Sequence, residues 1–61
     1  MIKVLIVDDS KVVQELLSYI LSSDPEIEIV GFASSGLEAI ELTSKKRPDI
    51  ITMDFHMPGM N

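Results

Sequence analysis

Cysteine is absent from these 61 residues. That removes disulfides and cysteine-ligated zinc, two devices by which small folds supplement a small core, and it leaves the redox compartment undecided. Positive charge is scarce, with five Lys and Arg against ten Asp and Glu and a net charge of −5. Phosphate contacts need clustered cations, so the balance argues against nucleic-acid binding by this segment. No apolar stretch approaches the roughly 20 residues of a membrane span. The opening run Met1 to Val7 is too short for a signal peptide and ends in the acids Asp8 and Asp9 rather than in small residues. A cytoplasmic location is the default expectation. Histidine occurs once, at His56, so no Ser/His/Asp arrangement is visible. The stretch after the first apolar run, Asp8 to Val13, contains no glycine. The dinucleotide fingerprint and the Walker loop are therefore both missing. Repeats, low-complexity tracts and linkers are missing too.

What is present reads as one small globular domain. The chain is 46% hydrophobic and 25% charged. At this length a domain buries only about 60% of its unfolded surface and is marginal alone. Strands and helices alternate along it. The run from Ile2 to Val7 is β-branched and almost continuously apolar, which predicts a strand covered on both faces. Val12, Val13, Leu16, Leu17, Ile20 and Leu21 then recur at helical spacing, with Lys11, Gln14, Glu15 and Ser18 between them. Ser10 or Asp9 can cap that helix, and the stretch ending in Pro25 stops it. Glu26-Ile27-Glu28-Ile29 opens a second strand whose alternation predicts a partly solvated edge. Gly31 reads as a strand irregularity and Gly36 as a helix start. Ser35-Gly36-Leu37-Glu38 fits a capping box. Leu37 and Ile40, joined by Ala39 and Thr43, are the expected inner face of the second helix. Lys45, Lys46 and Arg47 fall in its last turn, where positive charge suits the macrodipole, and Pro48 stops it. Asp49 to Met53 is a third strand, again apolar on both faces.

The expected architecture is thus α/β, β-α-β-α-β, with parallel strands joined by right-handed helical crossovers. The third strand can sit on the free side of the first, giving the order 2-1-3. The order then reverses at the first strand, and open α/β sheets bind ligands at such a point, beyond the carboxyl ends of the strands. Asp8 and Asp9 end the first strand and Asp54 ends the third, so three carboxylates converge at one sheet edge. Any one of them alone reads as an ordinary loop or cap residue; their convergence points to chemistry. Three close anions repel unless something compensates. Mg²⁺ would do so, because it prefers oxygen ligands and is often held by one or two carboxylates plus a phosphate. A carboxylate beside such an ion can be the nucleophile toward a phosphoryl group. His56 reads as a loop residue rather than a general base.

These motifs resemble the receiver domain of two-component response regulators. Val4-Leu5-Ile6-Val7-Asp8-Asp9-Ser10 is similar to the family's first strand with its acidic pair. Pro48 to Asn61, "PDIITMDFHMPGMN", is similar to its phosphorylation-site strand and loop. The likeness covers the whole chain and implies the first half of a flavodoxin-like, doubly wound parallel sheet. By position it implies that Asp54 is the phospho-acceptor. Asp9 would ligate Mg²⁺ directly with Asp8 assisting, and His56 would offer the metal a backbone carbonyl. Pro58 and Gly59 would shape the loop beyond. The implied phosphoryl donor is a histidine kinase. The wording of residues 23–61 most resembles the receivers at the front of chemotaxis protein-glutamate methylesterases, and receivers of DNA-binding transcriptional regulators share much of it. No esterase or DNA-binding residue lies in the chain.

Family receivers are about twice as long, with five strands ordered 2-1-3-4-5. They carry a Ser or Thr and a Lys on the fourth and fifth strands that contact the phosphoryl group. Lys3, Lys11, Lys45 and Lys46 end no strand at the site, so neither contact can be assigned. The expectation is therefore a receiver truncated after its third strand. Its third strand would be an open edge able to pair antiparallel with that of a second copy, in a mixed six-stranded sheet. Two other readings use the same strand order. A flavodoxin-like cofactor binder would need a phosphate loop where the anions of Asp8 and Asp9 stand. An inactive assembly fragment would merely inherit the acidic cluster.

Overall fold

The computed structural model describes residues 1–53. Five elements follow one another: β1 (Ile2–Val7), α1 (Lys11–Ser22), β2 (Ile27–Ala33), α2 (Gly36–Lys46) and β3 (Ile50–Met53). The sheet runs β2-β1-β3, and β1 is parallel to both neighbours. The expected α/β class and 2-1-3 order are both observed.

The continuous apolar run of β1 is explained by its central place. Val4, Leu5, Ile6 and Val7 are all at most 2% exposed. Side chains alternate along a strand, so Leu5 and Val7 face one side. There they form a cluster with Ala33 and Ala39, against which Leu42 packs. Val4 and Ile6 face the opposite side. Right-handed crossovers in the two directions put α1 and α2 on opposite faces. β2 is the partly solvated edge its alternation predicts. Its pairing slips between Val4↔Ile29 and Leu5↔Gly31, so Val30 is left over as a bulge. A Cβ on Gly31 would lie 3.3 Å from Leu5 Cδ1, a tight contact that would push the Leu5 side chain by a few tenths of an ångström, and 3.7 Å from Leu42 Cδ1, an ordinary one. At the other end of the sheet, Asp49 and Lys3 bond reciprocally. The Asp49 N–H donates to the Lys3 carbonyl and the Lys3 N–H donates to Asp49 Oδ2, both at 2.8 Å. This clasp starts β3 in register with β1.

The helix faces agree with expectation only in part: of the four positions expected inward on α2, Ala39 is buried and Thr43 half-buried. On α2 the buried positions are Gly36 and Ala39, with Leu42 half-buried, whereas Leu37 and Ile40 are 71% and 69% exposed. Small residues let the helix backbone lie close to the sheet, and that close approach, not side-chain bulk, decides which stripe faces inward. On α1 the six apolar positions form two stripes. Val13, Leu17 and Leu21 are half-buried, while Val12, Leu16 and Ile20 are exposed. Gln14, expected among the solvent-facing residues, is buried. α2 ends at Arg47, whose backbone is left-handed (φ 48°) and whose N–H donates to Thr43 O, so the helix stops one residue before Pro48.

Candidate functional site

The helices begin just past the carboxyl ends of β1 and β2, so their N-termini and the β1–α1 and β2–α2 loops meet beside the point where the strand order reverses. Each start is capped as the residue types dictate. Ser10 Oγ accepts from the Val13 N–H at 3.3 Å, which decides between the two candidate caps of α1 in favour of Ser10. Ser35 Oγ accepts from the Glu38 N–H at 3.2 Å. The carboxylate of Glu38 reaches back to the N–H of Ser34 at 2.7 Å, one residue earlier than the usual capping-box return.

Asp8 and Asp9 lie side by side at this point in different surroundings. Asp8 is 7% exposed. Its N–H extends the β1–β2 ladder by donating to Ala33 O at 2.9 Å, and its Oδ1 accepts from the Ser10 N–H at 2.9 Å. Its carbonyl accepts from Gln14 Nε2 at 2.7 Å. Only one carboxylate oxygen of Asp8 is engaged by that Ser10 bond. Asp9 is exposed. Two adjacent hard-oxygen donors, one anchored and one open to solvent, suit a Mg²⁺ ion that takes one or two carboxylates and keeps several waters.

Asp54 and His56, together with Pro58 and Gly59, lie outside the described residues. β3 is described as far as Met53, which pairs in register with Val7. Val7 directly precedes Asp8, as Met53 directly precedes Asp54. Among the described residues no group of three or more potential metal-ligating side chains forms.

Gln14 is the residue sequence reasoning passed over. Besides Asp8 O, its Nε2 reaches Ala33 O at 3.2 Å and Ser34 Oγ at 3.3 Å. The signal was available, because Gln14, Leu17 and Leu21 stand at i, i+3 and i+7 and so share one helix face.

Comparison with known proteins agrees with this geometry. The response regulator receiver domain family matches residues 4–61. The chain is 61% identical over 61 residues to a protein-glutamate methylesterase/protein-glutamine glutaminase of Syntrophus aciditrophicus, covering all of this chain and 17% of that protein. It is 56% identical to the corresponding protein of Nitrosospira multiformis, again over 61 residues, all of this chain and 17% of the relative. The chain thus spans less than a fifth of the length of these relatives. The crystal structure of the response regulator domain of Thermotoga maritima CheB superposes with a TM-score of 0.94 at 48% identity, covering 100% of this chain and 46% of that one. Fold, acidic pair and family match agree: the chain belongs to the response regulator receiver domain family.

Proposed function

We propose that this chain carries the phospho-accepting site of a chemotaxis-type response regulator. In this reading Asp54 takes a phosphoryl group from a histidine kinase, and Mg²⁺ is held by Asp8, Asp9, Asp54 and the His56 carbonyl. The observation that carries it is the acidic pair at the reversal point of the sheet, on the strand whose Val7 pairs with Met53, the residue before Asp54. The bond from phosphorus to the donor's imidazole nitrogen breaks as a carboxylate oxygen of Asp54 bonds to phosphorus. The imidazole leaves with the electron pair and takes up a proton. Mg²⁺, held by these residues, would supply neutralisation of the charge on the phosphoryl oxygens. Asp9, open to solvent, recruits the cation, while Asp8 is held against β2 and fixes where the pair stands.

The relatives' names support a methylesterase as the protein in which such a segment serves, over a DNA-binding regulator; a cytoplasmic location is proposed with it. Among the described residues no helix is long and apolar enough to cross a membrane. The outer edge of β3 supports a further partner for the 61-residue chain, a second copy paired through its third strand, because Ile50, Ile51 and Met53 are 50%, 38% and 43% exposed along it.

The reading is tested by calorimetric titration of the intact protein with Mg²⁺. Binding is expected for the wild type and is expected to be lost in Asp9→Asn and Asp54→Asn. Equal affinity in all three proteins would overturn the site.

A further inference from the structure

We propose that Gln14 is a positioning residue for the cation site, its amide clamping the Asp8 carbonyl and thereby fixing the peptide that joins the two acidic residues. The inference rests on the reading of Asp8 and Asp9 as the cation-binding pair. Glutamine is mostly an exposed residue type, yet Gln14 is 8% exposed in the first turns of α1. Burying a primary amide costs stability unless its hydrogens find acceptors. They do: Nε2 reaches Asp8 O at 2.7 Å and Ala33 O at 3.2 Å. Carbonyl oxygens can only accept, so these partners settle which end of the amide is the nitrogen.

The two acceptors are not equivalent. Ala33 O also receives the Asp8 N–H at 2.9 Å, so it keeps a donor without Gln14. Asp8 O has no other donor among the described residues. Gln14 is therefore the group that holds this carbonyl, and with it the plane of the Asp8–Asp9 peptide. The Asp8 N–H and one of its carboxylate oxygens are already tied, the first to Ala33 O and the second to the Ser10 N–H. Asp9 is exposed and hangs from the peptide that Gln14 clamps. A carboxylate held by a fixed peptide loses less freedom when it takes a cation than one on a swinging loop. Partners beyond the ligands themselves typically account for about 10–100-fold in metal affinity. The same amide nitrogen also lies 3.3 Å from Ser34 Oγ.

The test is Mg²⁺ affinity by calorimetry in the intact protein, comparing wild type, Gln14→Met and Ser35→Ala at a temperature where thermal melts show each fully folded. Methionine keeps the volume and removes the donors. Ser35→Ala removes the α2 cap and lowers stability without touching the clamp. Gln14→Met is expected to weaken Mg²⁺ about tenfold, while Ser35→Ala leaves affinity within about twofold of wild type. Should Gln14→Met fail to fold, the wild-type protein still decides. Its Gln14 side-chain amide resonance in ¹⁵N–¹H spectra is expected to shift as Mg²⁺ saturates. Wild-type binding with an unaltered Gln14→Met affinity, or with an unmoved Gln14 amide, overturns the positioning role alone. A wild type that binds no Mg²⁺ overturns the cation-site reading and this inference with it.

Discussion

Asp8 and Asp9 are chemically identical and one bond apart, and the fold gives them different work. Asp8 closes the β1–β2 ladder and accepts from the Ser10 N–H; Asp9 faces solvent. Their presence as a candidate site was legible in the sequence, because acids at the end of an apolar strand are plain to see. The role of Gln14 was not, because a single polar residue inside a helical pattern reads as solvent-facing until its partners are known. Thr52 raises a similar point. It pairs with Ile6 in the sheet, and its buried hydroxyl finds no partner among the described residues. An unpartnered buried hydroxyl costs about 1–3 kcal/mol, and an apolar group of the same shape avoids that cost. Thr52→Val is therefore expected to stabilise the intact protein by about 1 kcal/mol in urea unfolding. A clear loss of stability would mean that the hydroxyl has a partner beyond residue 53.

At the scale of elements, the strands were the most legible features. A continuous apolar run suits the covered centre of a parallel sheet, and β1 occupies it. The alternation at Ile27 and Ile29 marked β2 as an edge, and Gly31 marked its bulge. Helix faces were less legible. Periodicity finds apolar stripes on α1 but cannot say which one meets the sheet, and on α2 contact is made by Gly36 and Ala39, which carry little hydrophobic signal. The exposed stripes are not random. Ile40 and Thr43 of α2, with Ile51 and Met53 of β3, line an apolar groove of about 410 Å³ beside the outer edge of β3, which pairs with no other strand among the described residues. Unpaired strand edges template pairing with other strands. For the 61-residue chain, light scattering after size exclusion is expected to give twice the 6.8 kDa monomer mass at micromolar concentration. A folded monomer under those conditions would contradict pairing through β3.

The whole molecule is a small sheet whose strand reversal brings two loops and two helix starts to one place, and an acidic pair sits there. Order and parallel sense followed from the alternation of elements and from crossover handedness, which is why they could be read before the structure. The site could be read only in part. Asp8 and Asp9 are seen together at the reversal point, while Asp54 and His56 lie outside the described residues. Asp54 is the proposed acceptor of the phosphoryl group. An aspartyl phosphate is an acyl phosphate, and borohydride reduces it to homoserine. The most direct measurement treats the intact protein with Mg²⁺ and a small acyl-phosphate donor, reduces it with borohydride, and maps the product by peptide mass spectrometry. Homoserine at position 54, absent when Mg²⁺ is chelated, is the predicted result. Homoserine at another acidic residue, or none in protein shown to bind Mg²⁺, would contradict it.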